Sequence, residues 1–99
     1  HVGITITDVE KSLEFYGNIL GFEIVRVMDE KGEHIDKFSG LEGVDVKTIK
    51  MRDALGNMIE LLKYHSHPQE ANNNDITSIG CSHFALTVKN LDDLLKKID

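Results

Sequence analysis

The sequence has no tryptophan, one proline and one cysteine. A lone thiol, Cys81, excludes an internal disulfide and a cysteine-rich metal motif. It stands just before an apolar strand pattern, where a small buried filler is expected rather than a reactive thiol. Such sparing use of cysteine fits a reducing, cytoplasmic location. Positive charge is also short: Lys and Arg total 11 against 17 Asp and Glu, a formal net charge of −6. With no basic stripe, a phosphate-tracking surface is missing, and nucleic acid is not an expected partner. No apolar run approaches the ~20 residues that cross a bilayer, and no signal peptide is visible, so a membrane is not an expected partner either. What remains is ordinary globular material, 40% hydrophobic and 28% charged over 99 residues, enough for one small domain. The chain opens on His1 rather than methionine and stops at Asp99 just inside a helical pattern. Both ends are expected to be trimmed.

The first 64 residues read strand, helix, strand, strand, strand. His1 to Thr7 alternates, with Val2, Ile4 and Ile6 on an apolar face and His1, Gly3, Thr5 and Thr7 opposite. Thr7-Asp8-Val9-Glu10 has capping-box spacing, which predicts a helix capped by Thr7 or Asp8. Val9, Leu13, Tyr16 and Leu20 supply its apolar stripe, and Gly21 its stop. Phe22 to Met28 reads as the second strand. Residues 29–43 are polar and Gly-punctuated, which predicts a loop with one helical turn around Ile35 to Phe38. Val44 to Met51 alternates with one break of phase, Arg52 to Asn57 is a turn, and Met58 to Tyr64 is the fourth strand. Residues 65–81, with Pro68 and the run Asn72-Asn73-Asn74-Asp75, read as a linker.

The pattern then restarts. "HFALTVKNLDDLLKKI" (His83 to Ile98) lies over "HVGITITDVEKSLEFY" (His1 to Tyr16) position by position. His83 falls on His1, Thr87 on Thr5 and Leu95 on Leu13, while Asn90 falls on Asp8, both good N-cap residues. A first unit over residues 1–64 and the opening strand and helix of a second over 82–99 are therefore expected.

One residue is out of place in this scheme. Glu60 interrupts the apolar run of "GNMIELLKY" (Gly56 to Tyr64), and burying an unpaired carboxylate is costly. His1 and His83 open equivalent strands on the less apolar face. Two imidazoles and a carboxylate drawn from separate strands suit a divalent transition metal, which would neutralise Glu60. The plainer alternatives are hydrogen-bonded or solvent-exposed histidines, and a Glu60 that faces solvent by strand alternation alone.

These three stretches, "HVGITITDVEKSLEFYGNILGFE", "GNMIELLKY" and "GCSHFALTVKNLDDLLKKI", resemble the vicinal oxygen chelate superfamily. That family includes glyoxalase I, methylmalonyl-CoA epimerase, extradiol dioxygenases and the bleomycin- and fosfomycin-resistance proteins. The resemblance covers essentially the whole chain. It implies an α+β fold of paired βαβββ modules, whose mixed sheets form a cup around a metal site, with the second module truncated here. It also implies His1, Glu60 and His83 as metal ligands, with a fourth beyond Asp99. Zinc or nickel is the expected ion, with iron or manganese as alternatives. Glu60 carries the catalytic assignment as ligand, base or both, the ligand role being preferred.

The function that follows by resemblance is a metal-dependent lyase or isomerase of the glyoxalase I (lactoylglutathione lyase) type. It would stabilise an enediolate by Lewis-acid action, with a carboxylate moving the proton. An extradiol ring-cleaving dioxygenase on Fe(II) and a non-enzymatic drug-binding protein are the alternatives, since one fold supports all three. The expected partners are a small-molecule substrate and a second copy in a homodimer. His34, His65 and His67 are read as solvated loop residues. Arg26, Lys37 and Arg52 are candidates for an anionic substrate but are better read as surface charge. Met51, Met58 and Phe38 are better read as packing than as a pocket lining.

Overall fold

The computed structural model describes residues 1–69 and 75–98. The Asn-rich part of the expected linker and Asp99 lie outside the described residues. The elements are β1 (Val2–Thr5), α1 (Val9–Leu13) running on into a π-helical stretch (Glu14–Ile19), β2 (Glu23–Lys31), α2 (Glu33–Ser39), β3 (Asp45–Arg52), β4 (Met58–Tyr64) and α3 (Leu91–Ile98). The fold is α+β. One mixed sheet has the order β1-β4-β3-β2. β1 runs parallel to β4, and β4–β3 and β3–β2 are antiparallel.

Local chemistry accounts for the boundaries. Asp8 is the N-cap of α1, its carboxylate accepting a hydrogen bond from the Lys11 amide at 3.0 Å. The helix widens in its second half, where the Leu20 amide reaches back to the Phe15 carbonyl. Gly21, at φ +83°, then turns the chain out of it. Phe22, the next residue, is buried, with its ring edge-on to Tyr16 at 6.4 Å.

The sheet buries one face under this helix. Ile49, Met51, Ile59, Leu61, Ile6 and Phe22 form the core, and Ile4, Val9, Leu13, Tyr16 and Leu20 pack against it. Register explains the membership. Ile49 pairs with Leu61, Met51 with Ile59, and Ile4 with Leu61. Directly paired residues share a face, so these side chains all stand on the helix side. Fully burying an Ile, Leu or Met side chain is worth about 1.5–3 kcal/mol. The phase break expected in β3 falls at Thr48 and Ile49, both buried on opposite faces.

Several expectations need correction. β2 runs to Lys31, three residues past its expected end, and α2 spans seven residues rather than one turn. The polar end of β2 is held because it is laddered to β3, with Asp29 opposite Lys47 (4.0 Å between carboxylate and ammonium) and Lys31 opposite Asp45. Gly40, at φ +75°, closes α2 in the left-handed region. The Asp36 carboxylate then ties the loop by accepting the Gly43 and Val44 amides at 3.0 and 2.8 Å.

The expected strand over His83–Val88 is not one. It is extended chain outside the sheet, followed by α3. A strand exists through its ladder, and no described strand lies beside this segment. It is held instead by Leu86, packed against the core, and by the Asn57 side-chain amide, which donates to the Thr87 carbonyl at 3.0 Å. Cys81 is exposed rather than buried, because it sits in a turn ahead of that segment, its amide bonded to the Ser78 carbonyl. Among the described residues no helix is long and apolar enough to cross a membrane.

Candidate functional site

Glu60 lies between Ile59 and Leu61, each with no exposed surface. Side chains alternate along a strand, so if these two face the helix, Glu60 faces away. The open face of the sheet is where its carboxylate belongs. β1 brings the next component. Gly3 pairs with Glu60, and His1, two residues earlier, shares the face of Gly3. The outcome is a close pair: His1 Nε2 stands 3.7 Å from Glu60 Oε1, with side-chain exposures of 37% and 21%. The carboxylate that looked misplaced in an apolar run is thus half-buried, partnered and outside the core.

Gly3 keeps this corner open. A Cβ built there would come within 3.2 Å of the Leu62 Cδ1 methyl, a tight approach for a side chain with another to its flank. On the far side of Glu60 the row continues across the sheet through Lys50, opposite Glu60, to Arg26, opposite Lys50. Toward the other end of the face, Thr5 and Tyr64 border a cleft of about 390 Å³ that Leu41, His67, Pro68 and Gln69 complete.

The donor set of His1 and Glu60 suits a divalent cation. Zinc bonds of about 2.0–2.1 Å to imidazole nitrogen and 2.0–2.2 Å to carboxylate oxygen together exceed the 3.7 Å between the two donor atoms, so one ion can touch both. His83 is not brought to them. It is exposed at the head of the unladdered segment, and among the described residues no three His, Cys, Asp or Glu side chains are gathered in position to hold a metal.

The remaining sequence candidates separate clearly. His34 and His65 are exposed, and the His67 ring nitrogen Nδ1 is 2.7 Å from the Ser66 hydroxyl. Lys37 forms a helix-surface pair with Glu33, and Arg52 stands opposite Glu23. Met51 is core, whereas Phe38 is 93% exposed and packs nothing. Lys50 escaped the sequence reading. The turn at residues 53–57 pairs β3 with β4, and counting outward from it sets Lys50 against Glu60, so the signal was there in the hairpin.

The comparisons with known proteins agree with this architecture. A crystal structure of a glyoxalase family protein from Bacillus cereus superposes with a TM-score of 0.79, at 19% identity, over 98% of this chain and 66% of that one. A trivalent organoarsenical cleaving enzyme from Bacillus sp. (strain MD1) is 35% identical over 60 residues, which is 60% of this chain and 35% of that protein. The chain thus spans about a third of that relative and just under two thirds of the structural neighbour. The model of the Glyoxalase/Bleomycin resistance protein/Dioxygenase superfamily matches residues 1–99, and the chain belongs to that superfamily.

Proposed function

We propose that the chain contributes to a metal-dependent lyase or isomerase of the glyoxalase type, with His1 and Glu60 holding a divalent cation, zinc or nickel, on the open face of the sheet. The observation that carries this reading is the 3.7 Å approach of His1 Nε2 to Glu60 Oε1 on a face the core does not use. A cation there supplies Lewis-acid stabilisation of an oxyanion. Glu60 would hold the ion, and its carboxylate is the group that would move a proton on a neighbouring carbon. Gly3, paired with Glu60, puts no side chain beside it. His83 joins the pair once its segment takes a strand partner, which a second copy of the chain in a homodimer can supply.

The test is metal analysis of the purified chain and its Glu60→Gln variant. One divalent ion per site is expected in the parent protein, with affinity reduced at least tenfold in the variant. Absence of stoichiometric metal, or equal affinity in both proteins, would sink the proposal. Metal identity separates the alternatives, since iron with oxygen-dependent catechol cleavage would favour the dioxygenase, for which two histidines and one carboxylate are the usual donor set. The name of the Bacillus sp. relative supports a second reading, cleavage of a trivalent organoarsenical. Trivalent arsenic favours soft thiolates, and this chain offers Cys81 alone, so turnover of phenylarsonous acid that Cys81→Ser abolishes is the discriminating measurement.

A further inference from the structure

The open face carries a charge arrangement that metal binding does not use. Its central row runs Gly3, Glu60, Lys50, Arg26 across the four strands. Lys50 and Arg26 are direct cross-strand neighbours, and like charges placed opposite each other destabilise a sheet. A carboxylate between them would relieve this, but none is there. The ion pairs within 4.0 Å among the described residues are His1 with Glu60, Lys37 with Glu33, and Lys47 with Asp29, and neither Lys50 nor Arg26 takes part. The next row has the opposite character, since Arg52 faces Glu23 there.

A bulge creates the pairing. Glu23 and Ile24 pair with Arg52 and Met51, but Arg26, not Val25, pairs with Lys50. Val25 is the extra residue. In an unbroken ladder Val25 would stand opposite Lys50, and Arg26 opposite Ile49 on the helix face. One inserted residue therefore moves Arg26 from the core side of the sheet to the side of Glu60. Bulges of this kind re-aim a side chain and are common beside active sites.

We propose that Lys50 and Arg26 bind the anionic end of the substrate, so that the substrate class is a small organic anion. Its carboxylate sits at the Lys50–Arg26 end, and an oxygen at its other end lies toward His1–Glu60. The oxygen end of this assignment rests on the metal reading above, and the carboxylate end stands on the bulge and the charge row. Neighbouring strands are about 4.8 Å apart, which places Lys50 about 5 Å and Arg26 about 10 Å along the row from Glu60. That span suits one aromatic ring or a short chain between the two ends. A guanidinium beside an ammonium offers bidentate and point-charge donors to one carboxylate.

The experiment compares 3,4-dihydroxyphenylacetate with its neutral amide, 3,4-dihydroxyphenylacetamide, by amide shift titration of the ¹⁵N-labelled chain with and without zinc. The parent protein is expected to prefer the carboxylate about five- to tenfold, as charge-assisted bonds exceed neutral ones. Lys50→Met and Arg26→Gln should each reduce the preference without changing affinity for the amide or uptake of zinc, and Lys50→Arg should retain it. Equal affinity of the parent protein for the two compounds, no affinity for either, or a preference that survives both substitutions overturns the anion site. A preference that the substitutions abolish, with affinities for both compounds that zinc does not raise, supports the anion site and removes the metal reading alone.

Discussion

Replacing Leu61 by Ala and, separately, Leu62 by Ala measures the register on which the site depends. Leu61 has no exposed surface and pairs with Ile4 on one side and Ile49 on the other, inside the core. Its neighbour Leu62 is half-buried on the open face, opposite Thr5 and Thr48. Truncating Leu to Ala removes three carbon groups, about 2.4 kcal/mol of transfer free energy at about 0.8 each. At Leu61 a cavity term adds to this, for a loss of about 2–5 kcal/mol. At Leu62 roughly half of the transfer contribution applies and no closed cavity forms, so the loss is about 1 kcal/mol. Urea unfolding followed by far-ultraviolet circular dichroism resolves the difference. With a slope of about 1–1.5 kcal/mol/M for a chain of this size, Leu61→Ala should move the midpoint by about 1.3 M or more and Leu62→Ala by about 1 M or less. A larger loss at Leu62 than at Leu61 would refute the reasoning. A slip of one residue exchanges the two faces of a strand, so Glu60 would then point under the helix, and its approach to His1 and Lys50 would be lost with it.

Other expectations follow from the loops. The Asp36 carboxyl is held below its usual value by the hydrogen bonds from the Val44 and Gly43 amides, with His67 adding a smaller effect of the same sign against slight desolvation. A depressed carboxyl contributes stability above its unfolded value and loses it as pH falls through the folded one, so Asp36→Asn should lower the thermal midpoint near pH 7 and flatten its decline below about pH 4. An acid limb identical in the two proteins would remove Asp36 from the account. The 53–57 turn makes a second lock. Burial pushes the Asp53 carboxyl up, but hydrogen bonds from the Asn57 side chain and from the Asn57, Leu55 and Gly56 amides together hold it below the ordinary value. Asn57→Ala removes both that bond and the tether to Thr87, and should speed tryptic cleavage after Lys89 while leaving cleavage after Lys50 slow; unchanged cleavage after Lys89 would mean that Leu86 alone holds the segment.

Alternation and helical spacing made most of the first 64 residues legible. Val2 and Ile4 in β1 with Ile6 just beyond it, and Val9, Leu13 and Tyr16 in the helix with Leu20 at its end, are patterns that a single buried face produces, and Asp8 is a cap with a chemical reason. The polar extension of β2 and the full length of α2 were not legible for a physical reason. Asp29, Glu30 and Lys31 have no apolar alternation of their own and are strand only because β3 lies beside them with opposite charges at Lys47 and Asp45. The bulge at Val25 belongs to the same class, since it is a property of two strands together and leaves no mark in one.

His83–Val88 shows the converse. Its alternation is as regular as that of His1–Thr7, yet one segment is strand and the other is not. Alternation describes two faces, whereas a strand also requires an edge to pair with, and β1 finds that edge on β4 while His83–Val88 has none among the described residues. The same distinction decides the site. His1 and Glu60 are 3.7 Å apart because a parallel ladder sets Gly3 beside Glu60. A ligand at the head of a strand is only as well placed as the ladder behind it. On the proposed metal reading, a histidine at the matching position of the repeat would acquire its place only when Phe84 to Val88 gains a partner strand, whereas Glu60 has its approach to His1 without one.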